Sequence, residues 1–130
     1  MLRKLLKVLG IILVVVVVAF TGMYFYLSRN LDELVEAPIE NIDVSSLESG
    51  TYVGEYSVPP VSATVEVRIS DGRIDQILLL DHGNGMGQPA EAIIDDVIEK
   101  QSLQIDSISG ATYSSRVILK AIEDALSKAR

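Results

Sequence analysis

Val8 to Leu27 is a stretch of twenty residues without one charge, with five consecutive valines, Val14 to Val18, near its centre. About 20 apolar residues in a helix span a hydrocarbon core of about 30 Å, so this stretch is expected to cross a membrane. Arg3, Lys4 and Lys7 precede it, and no other charge occurs before Arg29. Positive charge is retained in the cytoplasm. Residues 1–7 are therefore expected inside, 8–27 across the bilayer, and everything after them outside. Tyr24 and Tyr26 stand at the far end of the run, where amphipathic rings prefer the headgroup region. A cleaved signal peptide is the competing reading, but its apolar core is shorter, about 7–15 residues, and ends at a small-x-small site. Val18-Ala19-Phe20 and Thr21-Gly22-Met23 match such a site weakly. The length favours a single retained anchor.

Charge and composition then exclude most chemistries. The chain beyond the span carries eight of the 11 basic residues and all 18 acidic ones, a net charge of −10. Phosphate contacts need clustered Lys and Arg, so nucleic acid is not a partner. Anionic headgroups would repel such a domain, so it is expected to stand off the membrane surface. There is no cysteine, which rules out disulfides, iron–sulfur clusters, thiolate zinc sites, c-type haem attachment and a lipoprotein anchor. His82 is the only histidine, so multi-histidine metal sites are out too. A redox centre in this chain has to be organic.

The 130 residues suggest one domain beyond the anchor. Residues 28–49 are acidic and mixed, with Pro38. They read as a stalk with one short helix around Leu31, Leu34 and Val35. The folded domain is expected over 50–130, in the α+β class: a small antiparallel sheet, made of an N-terminal strand plus a hairpin, packed with two helices. Thr51 to Val58 is the first strand, with Tyr52, Gly54 and Tyr56 on one side, and Pro59-Pro60 ends it. Val61 to Ser70 alternates strictly between apolar and polar residues, as a half-buried strand does. Asp71-Gly72 signals a two-residue hairpin turn, and Arg73 to Leu80 returns. A regular ladder sets Ile69 opposite Ile74, Arg68 opposite Asp75, Val67 opposite Gln76, Val65 opposite Leu78 and Ala63 opposite Leu80. It points Ile77 and Leu79 to the other face, which something must then partly cover. A glycine-rich loop, Asp81 to Gly87, leads to a helix with Pro89 in its first position and an apolar stripe of Ala90, Ile93, Ile94, Val97 and Ile98. The last helix is expected from about Tyr113 to Lys128. It buries Val117, Ile118, Ala121, Ile122, Ala125 and Leu126, and turns Arg116, Lys120, Glu123, Asp124 and Lys128 to water. Without Trp or Phe, the domain's core is aliphatic.

The segment Asp106-Ser107-Ile108-Ser109-Gly110-Ala111-Thr112, directly before that helix, carries the chemistry. Thr112 or Ser109 can cap the helix by accepting a bond from an orphan backbone N–H. The same helix start can bind phosphate, because it offers free N–H groups and a partial positive charge. Gly110 and Ala111 let an anion approach the backbone closely. Ser114 and Ser115 add hydroxyl donors within the first turn. Asp95-Asp96 reads as a solvated helix face and not as a catalytic pair.

This segment resembles the flavinylation motif of the FMN-binding domain family. The acid, the serine, the Gly-Ala pair and the terminal threonine all match, in a place expected to be extracytoplasmic. The Gly-Thr-Tyr-x-Gly opening strand, the hairpin, the glycine loop with His82 and the Pro-Ala-Glu helix start agree. The order is similar to a compact version of the flavin-carrying domains of Rnf and Na+-translocating quinone reductase complexes. The resemblance implies that a flavin transferase esterifies the Thr112 hydroxyl with the phosphate of FMN. It implies that Asp106 serves recognition or transfer, that Ser109, Gly110 and Ala111 shape the loop around the phosphate, and that His82 and its glycine loop are candidates for lining the flavin ring, the other reading of His82 being a solvated loop histidine. The protein would then relay electrons between a membrane or flavoprotein donor and an external acceptor, without being a self-contained enzyme. Two other readings remain open: a domain that binds FMN or another phosphate ligand without a covalent bond, and a cofactor-free binding module at the cell surface.

Overall fold

The hairpin expected at Asp71-Gly72 organises the sheet. In the computed structural model, which describes residues 1–83, 87–106 and 112–130 and only the backbone of 87–91, the strands are β1 (Gly50–Val58), β2 (Val61–Ser70) and β3 (Arg73–Gly83). They form one antiparallel sheet in the order β1-β2-β3. Asp71 at φ 51° and Gly72 at φ 73° are both left-handed. A type I′ turn requires that at its two central positions, and Asp-Gly supplies it at low cost. Val61, Ala63, Val65, Val67 and Ile69 all face the core. Tyr52, Gly54 and Tyr56 share the inward side of β1, as expected.

The register of β3 departs from the expected ladder. Ile69 does pair with Ile74, but Arg68 pairs with Gln76, which leaves Asp75 as an extra residue. Beyond this bulge Val67 pairs with Ile77 and Val65 with Leu79. A second shift passes over Leu80, so that Thr64 pairs with Asp81 and Ala63 with His82. The expected pairs Arg68–Asp75, Val67–Gln76, Val65–Leu78 and Ala63–Leu80 do not form. The reason lies in the parity of the strand's apolar residues. Ile74 sits at an even position, but Ile77 and Leu79 at odd ones, and a regular strand would put the latter two in water. One extra residue reverses the side-chain faces. Ile77 is buried and Leu79 partly so, while Leu78 and Leu80 stand outside, 41% and 52% exposed. The outer face then needs no cover for Ile77 and Leu79.

Two helices close the other face. α2 (Gly87–Lys100) packs on β3, and α3 (Thr112–Ser127) lies across β1 and β2. Pro89 is the third residue of α2 and not the first. A Cβ on Gly54 would overlap the Ala121 carbonyl oxygen and the Ala125 nitrogen, so only glycine lets α3 approach this closely. Among the described residues, the buried hydrophobic side chains of the core are Leu, Ile, Val and Ala. Both sheet edges are occupied by side chains, which blunts them against pairing with other chains. At β1, Asp124 accepts from the Glu55 N–H at 3.0 Å, and Lys128 donates to the Val53 carbonyl. At β3, Gln101 (φ 52°) accepts from the Ile74 N–H at 2.6 Å and donates to the Ile74 carbonyl at 2.9 Å. Its amide also donates to the Ile98 carbonyl at 2.6 Å, which closes the end of α2.

The segment expected to be a stalk belongs to the fold. The apolar run lies in a single helix, α1 (Leu2–Glu36), which continues past the span to within one residue of Ala37. The short helix expected around Leu31, Leu34 and Val35 is the end of α1. Leu34, Ile42, Val44 and Leu47 are buried in the core, with Leu31 and Ile39 packed against it. A 3-10 turn at Val44–Ser46 is capped by Asp43, whose Oδ1 accepts from the Ser45 N–H at 3.1 Å and the Ser45 hydroxyl at 2.6 Å. Those hydrogen bonds hold the Asp43 carboxyl below its ordinary pKa.

This layer overlies the face of α3 that was expected to meet water. Arg116 donates to the carbonyls of Leu34 and Ala37, and so satisfies the C-terminal end of α1. Lys120 and Glu123 form a pair at 2.8 Å with side chains only 15% and 19% exposed. Glu123 also accepts from the Glu40 N–H at 2.8 Å. The polar stripe of α3 is therefore partly an internal surface. Asp124 and Lys128, further along, are more open.

Candidate functional site

The direction of α3 decides which groups gather at one end of the domain. Ala121 and Ala125 touch Gly54, the Lys120 ammonium lies 5.6 Å from the centre of the Tyr56 ring, and the Ala129 carbonyl accepts from the Glu48 N–H. α3 therefore runs opposite to β1. Its first residue, Thr112, lies toward the end where β1 stops at Val58, β2 starts at Val61 and β3 stops at Gly83. A row of paired residues crosses the sheet near this end: Tyr56, Ala63 and His82. Gly87, the first residue of α2, follows Gly83 by four positions, so it lies within about 14 Å of that strand end. Two helix N-termini thus lie toward this end, each with the partial positive charge of a helix start.

Thr112 is exposed. It is the first residue of α3 and not the residue before it. Ser114 and Ser115, one turn in, are buried. Asp106 is exposed and lines a cavity of about 370 Å³ with Glu36 to Ile39, Leu103 to Ile105 and Arg116. Ser109, Gly110 and Ala111 lie outside the described residues, as do most of the glycine loop and the side chains of Pro89 and Ala90.

His82 is the residue that the fold makes most telling. The second bulge of β3 returns the inward face to even positions, so His82 lies on the core side of the sheet, opposite Ala63. Both of its ring nitrogens are buried, and neither has a hydrogen-bond partner among the described residues. A buried polar group left unpaired costs about 1–3 kcal/mol. Among the described residues no cluster of His, Cys, Asp and Glu could hold a metal ion.

A family model described as the FMN-binding domain matches residues 60–127, from the start of β2 to the end of α3. The chain belongs to the FMN-binding domain family. Within this FMN-binding domain the match covers the hairpin, both helices, His82 and the whole segment from Asp106 to Thr112. No curated protein and no solved structure matches the chain. The residues present fit the cofactor that the family binds. FMN has a phosphate, for which two helix N-termini are suited, and a ring edge with nitrogens and carbonyl oxygens, which the buried His82 imidazole can meet.

Sequence reasoning missed Arg116 and Gln101. Arg116 stands one turn after Thr112 and ties the first turn of α3 to the end of α1. Its position on a helix face gave no sign of that, because the partners are backbone carbonyls about 80 residues away. The legible signal was in the partner segment, where Ile39, Ile42, Val44 and Leu47 are too apolar for a free stalk.

Proposed function

We propose that this protein is a membrane-anchored, extracytoplasmic flavoprotein that carries FMN through a phosphoester on Thr112 and relays electrons. The observation that carries the reading is the position of Thr112. It is an exposed residue, the first of a helix, at the end of the sheet that also holds the ring of His82, whose nitrogens have no partner among the described residues. The threonine of the flavinylation motif and the His82 ring therefore belong to one end of the fold.

Each group has a role in this reading. In maturation on a flavin transferase, the Thr112 oxygen would form a bond to the phosphorus of FMN, the bond from that phosphorus to the donor's leaving group would break, and the leaving group would depart with the threonine's proton. Asp106 serves recognition or transfer. Ser109, Gly110 and Ala111 shape the phosphate loop, and Ser114 and Ser115 support it from within the first turn. The start of α3 stabilises the phosphate's negative charge. His82 meets the polar edge of the ring. The flavin supplies the electron chemistry, and the protein supplies position and electrostatics. The donor and the acceptor are separate molecules. An ester suits a protein outside the cell, where a dissociated cofactor would be lost by dilution.

The test is direct. The chain is produced with an active flavin transferase, denatured and run on a gel. A fluorescent band that vanishes in Thr112→Ala supports the ester. Flavin that washes off on denaturation supports a non-covalent site instead. Protein that is colourless before denaturation supports a cofactor-free module.

A further inference from the structure

The end of the domain that carries Thr112 is also the end that α1 enters. Arg116 binds the Leu34 and Ala37 carbonyls from the first turn of α3. Asn30, Glu33, Leu34 and Ala37 share a cavity of about 360 Å³ with Tyr56 to Pro59, at the β1–β2 turn. From there the chain leads away from α1. Lys120 reaches the Pro38 carbonyl, Glu123 and Arg130 hold Glu40, and Ser45 lies against Gly72 at the opposite end of the sheet.

No slack separates this junction from the membrane span. The uncharged run ends at Leu27, and α1 continues without a break to Glu36. At 1.5 Å per residue, Asn30 stands about 5 Å and Leu34 about 10 Å beyond Leu27. The headgroup layer is about 5–8 Å deep on each side of the hydrocarbon. A domain seated at Asn30 to Leu34 therefore meets lipid headgroups.

The distribution of exposed apolar side chains agrees. Val35, Leu80 and Tyr113, all toward the α1 end, are 40%, 52% and 39% exposed. At the far end Leu47, Ile69, Ile74 and Ala129 are buried, while the other exposed apolar side chains of the sheet, Val53 at 43% and Leu78 at 41%, lie in the row of pairs midway between the two ends. Apolar groups with polar neighbours suit the headgroup boundary.

We propose that α1 seats the Thr112 end of the domain against the outer surface of the lipid bilayer, so that the cofactor site faces the membrane and the Asp71-Gly72 turn faces away. The placement of a cofactor rests on the function proposed above; the orientation of the domain does not. A redox partner would then reach the site from the plane of the membrane.

The chain has no cysteine, so single-cysteine labels can test this. Ser57→Cys marks the α1 end and Ser70→Cys the far end, both at exposed positions. Each full-length variant is labelled with a fluorophore and placed in phosphatidylcholine vesicles that contain lipid with a nitroxide on its headgroup. The label at position 57 is expected to be quenched at least about threefold more than the label at 70. Equal quenching, or stronger quenching at 70, would overturn the proposal. A 15-residue Gly-Ser insertion between Ser28 and Arg29 is expected to abolish the contrast. A contrast that survives the insertion would overturn the role given to α1. The same contrast is expected in Thr112→Ala, so a failure of the ester leaves this measurement intact.

Discussion

His82 and Gly54 show how much a single position can settle. Both ring nitrogens of His82 are buried and have no hydrogen-bond partner among the described residues, an arrangement that costs stability in the cofactor-free domain. His82→Leu is therefore expected to raise the stability of the flavin-free protein by about 1 kcal/mol, read as a higher melting temperature. The same change is expected to loosen the ring, so that His82→Leu and His82→Gln both shift the reduction potential of the loaded protein. An unchanged potential in both would remove His82 from the site. Gly54 was legible in the sequence only as one member of an inward-facing row. Its closeness to Ala121 and Ala125 depends on a helix some 70 residues away. Gly54→Ala is expected to cost about 2–3 kcal/mol, because the helix must move or the strand must bend. Denaturant unfolding would measure it.

At the level of elements, the strands were legible and their register was not. Alternation over Val61 to Ser70 and the Asp-Gly turn are local signals, and both strands appear where those signals place them. A bulge answers a mismatch between two strands and a core, and no local pattern contains the core. The segment from Ala37 to Ser49 shows the same limit. Its contact with the C-terminus is electrostatic: the Arg130 guanidinium at 2.7 Å holds the Glu40 carboxyl below its ordinary pKa. Hydrogen bonds from Ser45 do the same for Asp43. A carboxyl with a lowered folded-state pKa stabilises above its unfolded pKa and loses that contribution as pH falls through the folded value. The segment is therefore expected to loosen below about pH 4, before the sheet does. Hydrogen exchange of residues 38–48 as a function of pH would show it, and Glu40→Gln should flatten the dependence. Gln101→Ala is expected to lose about 1–3 kcal/mol, because it frees both backbone groups of Ile74 at the edge of β3.

Across the whole molecule, the apolar helix that could cross a membrane and the domain are one continuous structure and are not joined by a spacer. Burial of Leu34, Ile42, Val44 and Leu47 contributes on the order of 6–12 kcal/mol by area. That is comparable to the entire stability of a small domain, about 5–15 kcal/mol. A soluble fragment that starts at Ser28 is expected to fold, while one that starts at Gly50 is expected to be largely unfolded. Circular dichroism melts of the two fragments would decide it. The family match itself starts at residue 60, so it leaves out β1 and the α1 segment on which this stability depends.

Sequence alone determined the apolar run, the strands, the hairpin turn, the aliphatic core and the flavin family. Each of these is written in neighbouring residues: an uncharged run, a period of two, a dipeptide with left-handed preference, a short motif. Only the tertiary structure decided the register of β3, the burial of His82, the inward turn of Arg116 and the seat of α1 at the Thr112 end. Those depend on which surfaces meet, and surfaces far apart in the chain meet only once the core has formed. The acidic composition predicted a domain held off the membrane, but it could not reveal that the residues meant as a stalk are spent on packing.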